Sequence, residues 1–286
     1  MTPSLSLFAL AAAQLGVIPG QGVPSDIPEE LRDRPPPRST AVAPRPTELE
    51  ECLRLASSEP GSALDLAQRW RDQAVTDLDL TQSAHCLGLA LVQLGRFSEA
   101  RQAFELASGE APDDNLAYSA RLSAMAGNAA MAADDPEGAL PLLDRAGEIA
   151  LLAGEKGLAA DLRVDLARVL VRLGRSDDAV RALAEAREAD PLDVQAWLLS
   201  ATLSRRLERL GEAQEQIERA ATLDPRDPQI GLEAGVIAAL SGREEDARRS
   251  FASVLDVAPG SREAERAQAY LDQLGDVSDE PESPER

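Results

Sequence analysis

Apolar residues recur at intervals of three and four between residues 47 and 275, and the pattern stops at regular points. Such spacing places apolar side chains on one face of an α-helix and is typical of amphipathic helices. The stops carry glycine or proline, and Pro191, Pro225 and Pro259 are each 34 residues apart. A fixed period of this length predicts an array of short helical repeats rather than one or two globular domains.

Small residues recur at one position of each predicted helix. The first helices carry Gly88, Gly127, Ala167, Ala201 and Gly235, and the second helices carry Ala100, Ala139, Ala179, Ala213 and Ala247. Small side chains at facing positions allow two helices to pack closely. Large residues are expected to fill the space beside them, at Trp70, Phe104, Leu143, Leu183, Ile217 and Phe251.

Other residues mark predicted helix ends. Gly95, Gly174 and Gly242 follow first helices, where a left-handed cap residue is needed. Thr47 followed by Glu50 predicts a capping box at the start of the array.

The segment AHCLGLALVQLGRFSEARQAFELASGEAPDD resembles the tetratricopeptide repeat family, as do later copies that end in proline. The resemblance covers residues 47–261, about 215 of 286. It implies an all-α fold, a right-handed α-solenoid of about six helix-turn-helix units. We expect repeat frames that begin at residues 47, 81, 120, 160, 194 and 228, and a capping helix over 262–275.

Both ends of the chain differ from the array. Residues 1–13 are uncharged, contain a short apolar run and end in Ala-x-Ala before Gln14, which indicates a secretory signal peptide. The usual basic residues at its start are missing, so an uncleaved, disordered start is the alternative. Residues 14–46 contain eight prolines and predict a disordered linker or a Pro-rich docking peptide. Residues 276–286 predict an acidic disordered tail.

Charge excludes several classes of function. The chain has 29 Lys and Arg against 50 Asp and Glu, a formal net charge of −21. Such a chain repels nucleic-acid phosphates and anionic lipid, so we expect it to bind neither nucleic acid nor a membrane surface. No window approaches the roughly 18 apolar residues that a membrane-spanning helix needs, so we also expect no integral membrane segment in the mature chain. The linker contributes 0 and the tail −4, which leaves −17 on the array.

Candidate catalytic and metal-binding residues are few. One His and two Cys cannot form a zinc site of the Cys/His type, and no phosphate-binding loop or hydrolase motif occurs. We therefore expect no enzyme activity and no cofactor. Cys52 and Cys86 occupy equivalent positions in adjacent repeats, whose helix axes should lie roughly 8–10 Å apart. That separation predicts two free, mostly buried thiols.

The resemblance also implies a binding surface. First helices of tetratricopeptide arrays line a concave groove that generally binds peptides or partner helices. The corresponding residues here are apolar with a few cations, and the candidates are His85, Leu89, Arg121, Asn128, Arg168, Arg172, Leu198, Arg205 and Leu232. We expect an unidentified protein or peptide partner with apolar anchors and at least one carboxylate. The alternative is that these arginines pair with acidic neighbours and cover the core with their stems.

The function indicated is a non-enzymatic protein-interaction scaffold in the bacterial periplasm or cell envelope, or a secreted one. One Lys against 28 Arg is consistent with a GC-rich bacterial genome. The alternatives are an assembly or regulatory subunit of an envelope complex and, if residues 1–13 are not a signal, a cytoplasmic adaptor. The Lys and Asn clamp of cytosolic co-chaperones is missing, since the chain has Lys156 as its one Lys.

Overall fold

The structure is a computed structural model that describes residues 47–278, with side chains to residue 275. This part of the chain consists of thirteen α-helices and contains no strand. The helices are α1 (Glu48–Ser58), α2 (Pro60–Gln73), α3 (Asp77–Gln93), α4 (Phe97–Glu110), α5 (Leu116–Ala132), α6 (Pro136–Leu152), α7 (Lys156–Arg172), α8 (Ser176–Ala189), α9 (Val194–Arg206), α10 (Leu210–Leu223), α11 (Pro228–Leu240), α12 (Glu244–Val257) and α13 (Arg262–Ser278). The predictions for residues 1–46 and 279–286 lie outside the described residues.

Consecutive helices pack against each other and are joined by short turns, so they run in alternating directions. The odd-numbered helices α1 to α11 are the first helices of six pairs, and the even-numbered helices are the second. The predicted all-α solenoid is therefore confirmed. Helices α3, α5 and α7 each have 17 residues and begin at residues 77, 116 and 156, one helical turn before the frames at 81, 120 and 160.

The predicted helix ends are confirmed. The Thr47 hydroxyl accepts a hydrogen bond from the Glu50 N–H, and the Glu50 carboxylate accepts one from the Thr47 N–H. Gly95, Gly174 and Gly242 have φ of 71°, 73° and 72°, the left-handed conformation that favours glycine. Asp134 and Glu208 take the same conformation, with φ of 61°, at the turns of two other pairs.

At two positions, glycine in the first helix is explained by an aromatic ring of the second helix. A Cβ built on Gly88 would lie 2.5 Å from the Phe104 ring, and one on Gly235 would overlap the Phe251 ring. Both rings are almost fully buried. The ring thus occupies the space that a side chain on the glycine would need, and the two helices pack closely because of it.

Cys52 and Cys86 form a disulfide, so the prediction of two free thiols is wrong. Both residues are completely buried, and their Cα atoms lie 5.9 Å apart. The error lies in using the distance between helix axes as the distance between residues. A Cα atom sits about 2.3 Å from its helix axis, so two residues that face each other are several ångströms closer than the axes. At 5.9 Å the pair is within the usual range for a disulfide.

No helix of residues 47–278 is both long enough and apolar enough to cross a membrane.

Candidate functional site

A small apolar cavity opens between α7 and α9. It has a volume of about 200 Å³ and reaches Leu183 of α8. Its wall is formed largely by Ala167, Val171 and Leu199, and Arg168 and Arg206 also line it. An apolar side chain of a ligand would fit here, with cations beside it.

A larger and more polar cavity of about 500 Å³ adjoins the first. It lies across α9, α11 and the final helix α13. The two cavities share Leu199, Thr202 and Arg206, so they form one continuous surface. We call the two cavities together the C-terminal groove.

The C-terminal groove carries more cations than anions. Four arginines line it, Arg168, Arg205, Arg206 and Arg266, and two glutamates, Glu233 and Glu263. This excess of positive charge occurs on a chain with a net charge of −21. The groove is therefore electrostatically distinct from the chain that carries it.

Ion pairs neutralise two of these arginines. The Arg205 Nε lies 2.5 Å from a Glu233 carboxylate oxygen, and both side chains are largely buried. Arg168 pairs with Asp165 one turn away, at 2.6 Å, and half of its side chain is exposed. Within residues 47–275, Arg206 and Arg266 have neither an ion pair nor a side-chain hydrogen bond. These two arginines are the cations available to a ligand.

Four of the nine predicted groove residues line the C-terminal groove. Arg168 lies in the apolar cavity, and Leu198, Arg205 and Leu232 lie in the polar one. Arg172 lines neither cavity; it is exposed and pairs with Asp134 of the preceding repeat.

The other predicted groove residues lie on α3 and α5, away from both cavities. His85 is buried, and its Nδ1 lies 2.9 Å from the Tyr118 hydroxyl. Burial lowers the pKa of His85 and raises the pKa of Tyr118 to about 12, so both side chains are uncharged near neutral pH. Leu89 is half-buried in the core, whereas Arg121 and Asn128 are exposed. These residues do not form a site with the four above.

The sequence interpretation missed the contributions of Leu199, Arg266 and Tyr270. Leu199 could have been found, because Gln195, Leu199, Thr202 and Arg206 lie three or four residues apart and form one stripe on α9. Arg266 and Tyr270 belong to α13, which lies across the end of the groove. The repeat pattern could have indicated that contact, because α13 begins one 34-residue period after the frame at residue 228 and packs against α11 and α12 as a further first helix would.

The described residues contain no group of three or more His, Cys, Asp or Glu side chains arranged to hold a metal ion.

Models of one family match the chain in three places. Two matches to a model described as Tetratricopeptide repeat cover residues 164–228 and 201–262, and a second model with this description covers residues 82–114. This chain belongs to the tetratricopeptide repeat family. No curated protein matches the sequence.

Solved structures of other proteins share the fold of this chain. BtubC (BKLC) from P. vanneervenii is 17% identical, with a TM-score of 0.56, and the match covers 84% of this chain and 96% of that protein. MamA is 17% identical, with a TM-score of 0.51, over 66% of this chain and 94% of its own. A MamA fragment from Desulfovibrio magneticus RS-1 is 18% identical, with a TM-score of 0.50, and the match covers 66% of this chain and 96% of the fragment. At such identities the similarity is one of fold.

Proposed function

We propose that this tetratricopeptide repeat protein is a non-enzymatic interaction scaffold that binds a segment of a partner protein in the C-terminal groove. One observation carries the proposal: two adjoining cavities, one apolar and one polar, share the unpaired Arg206. An apolar cavity beside oriented charges is the usual form of a peptide-binding site.

The chemistry of the groove indicates the chemistry of the ligand. The apolar cavity accepts a large aliphatic or aromatic side chain, since Val171, Leu183 and Leu199 line it. Arg206 and Arg266 bind a carboxylate, because a guanidinium group donates two parallel N–H hydrogen bonds to it. The partner segment therefore combines an apolar anchor with Asp, Glu or a C-terminal carboxylate.

Arg206 is a better residue than Arg205 for a charge-reversal test. Reversing the charge of Arg205 would place a second carboxylate beside the largely buried Glu233 and disturb the fold. Arg206 has no such partner among the described residues and is exposed. Arg206→Glu therefore tests binding without removing a structural ion pair.

Selection from a display library of short random peptides tests the proposal. Peptides selected by the wild-type protein should combine a large apolar residue with Asp or Glu, and Arg206→Glu should lose them or select Lys and Arg instead. Arg226→Glu is the matched control, because Arg226 is an exposed arginine that does not line the groove. The same selected peptides for wild type and Arg206→Glu, at unchanged far-UV circular dichroism, would contradict the proposal.

We infer further that the protein works outside the cytoplasm, in the periplasm or as a secreted protein. The Cys52–Cys86 disulfide supports this, because structural disulfides persist in oxidising compartments and are rare in the cytosol. The disulfide disfavours the alternative of a cytoplasmic adaptor. It does not distinguish a scaffold from an assembly subunit of an envelope complex, because both would work outside the cytoplasm. Mass spectrometry of the protein from its native cell should find a mature chain that begins at Gln14; an intact start at Met1 in a cytoplasmic fraction would refute the inference.

A further inference from the structure

Exposed large apolar residues are concentrated at one edge of the solenoid. Because the helices alternate in direction, the ends of second helices and the starts of the following first helices share that edge. Six exposed residues lie at four successive junctions of this kind: Val75, Leu78, Leu116, Leu151, Leu152 and Leu192. We call these six residues the apolar edge.

The degree of exposure distinguishes this edge from ordinary surface. Val75 is 89% exposed, Leu152 77% and Leu192 67%, the highest values for large apolar residues in residues 47–275, and each belongs to a different junction. The turns of the opposite edge are built mainly from polar residues and glycine, with Leu94 and Leu240 as their exposed leucines. Single exposed leucines are common, whereas a row along one edge indicates an interaction surface.

Contacts between neighbouring helices connect the junctions. Arg71, near the end of α2, donates hydrogen bonds to the Leu80 carbonyl of α3 and to Glu110 at the end of α4. Ser108 of α4 and Ser119 of α5 exchange hydrogen bonds at the next junction. The helix ends at the first two junctions are thus packed side by side.

The charges at the apolar edge are mainly negative. Asp77, Asp113, Asp114 and Glu155 are exposed there, and none has an ion pair within the part of the chain that the structure describes. Asp161, Asp190 and Asp193 also lie close together. Burial raises the pKa of Asp161, and the nearby charges of Asp193 and Asp190 raise it further.

The cations near this edge are fewer. Lys156 is exposed, whereas the Arg187 guanidinium lies 4.8 Å from the centre of the Trp197 ring and is occupied by that contact. A partner complementary to the edge is therefore apolar and basic, opposite in charge to the ligand of the C-terminal groove.

We propose that the apolar edge docks one amphipathic, basic helix of a partner protein. Successive junctions are one helix pair apart, roughly 10 Å. A helix presents residues i and i+7 about 10.5 Å apart on one face, so its apolar face matches this spacing. Four junctions span about 30 Å, which corresponds to a helix of about 20 residues. Lysines and arginines flanking that face would contact Asp113, Asp114 and their neighbours.

A designed helical peptide of about 20 residues, with leucines on one face and lysines elsewhere, is the probe. We expect fluorescence anisotropy to show that it binds the full chain, and that Val75→Ser, Leu152→Ser and Leu192→Ser together weaken binding by about 10-fold or more. All three side chains are exposed, so the fold should be retained. The matched control replaces Leu53, Leu94 and Leu240 by Ser; these are exposed leucines outside the edge. Its affinity for the peptide should stay within about 2-fold of the wild-type affinity.

Further arms separate the other occupants. A peptide with glutamates in place of the lysines should not bind, and Arg206→Glu should leave binding unchanged because the groove is a separate site. Equal binding by the triple variant and its control, or by both peptides, would overturn the proposal. So would sedimentation showing that the edge joins two copies of this chain, or stronger binding of anionic lipid vesicles than of the peptide.

Discussion

Cys52 of α1 and Cys86 of α3 join the first two repeats through a disulfide between Cα atoms 5.9 Å apart. The two residues are separated by 34 positions, one repeat, so the bridge closes a loop that contains the end of α1, all of α2 and the start of α3. Because a terminal repeat packs against one neighbour rather than two, this covalent link supports the pair with the fewest packing contacts.

Reduction of the disulfide should destabilise the first repeat by about 3–4 kcal/mol, the loop-closure contribution expected for a loop of this length. Hydrogen exchange in α1 and α2 should rise in Cys52→Ser/Cys86→Ser, while α7 to α13 stay protected, because each repeat contacts its neighbours alone. Alkylation with mass spectrometry provides the check on the bond itself. Modification of both cysteines without prior reduction would show that the bridge does not form.

Gly88→Ala should lower the free energy of unfolding by about 1–3 kcal/mol, because the new Cβ would lie 2.5 Å from the Phe104 ring. Thermal unfolding measures the effect. Gly211→Ala is the matched control: Gly211 is also helical, and no atom lies within 4 Å of a Cβ built there. That variant should be neutral or more stable by up to about 1 kcal/mol. Equal loss in both variants would contradict the close packing.

Glu233→Gln should destabilise the fold by about 1–3 kcal/mol, because it leaves the Arg205 guanidinium largely buried without its carboxylate. Urea denaturation of the wild type, both single variants and Arg205→Gln/Glu233→Gln gives the coupling energy. We expect the double variant to be more stable than the sum of the single changes predicts. Additive effects would indicate that the pair contributes nothing beyond its separate side chains.

Stability should fall as the pH is lowered from about 7 to 5, because of His85. Burial lowers the pKa of His85, so the unfolded chain binds a proton at a pH where the folded chain does not. The loss should not exceed about 1.4 kcal/mol per pH unit, the limit for one proton. His85 is the single histidine of the chain, so His85→Gln should flatten the dependence, whereas Tyr118→Phe, which keeps the imidazole, should retain it. An unchanged slope in His85→Gln would assign the effect to other groups.

The sequence predicts packing within a repeat well, because that packing depends on residues close together in the chain. Gly88 and Phe104 are 16 positions apart, and the same relation recurs at Gly235 and Phe251. A repeated pattern averages out the substitutions that obscure any one copy. The left-handed glycines are predicted for the same reason, since each ends a helix whose pattern is visible.

Features that depend on three-dimensional placement were harder to predict. The disulfide required the positions of two facing Cα atoms rather than of two helix axes. The groove required the position of α13, which brings Arg266 and Tyr270 to α9 and α11. Arg205 is not available to a ligand, because it pairs with Glu233 of the next repeat. The neighbouring stripe of α9, which contains Arg206, provides the available cation instead.

The final helix α13 also connects binding with the stability of the array. A linear array loses its ends first, and the disulfide holds the N-terminal end. Opening should therefore begin at α13, which contributes Arg266 and Tyr270 to the polar cavity. A ligand that contacts both α13 and α9 binds the array when α13 is packed in place and not when α13 has detached. Occupancy of the groove would therefore suppress fraying of α13. Protection of α13 from hydrogen exchange would then measure how much of the groove is occupied.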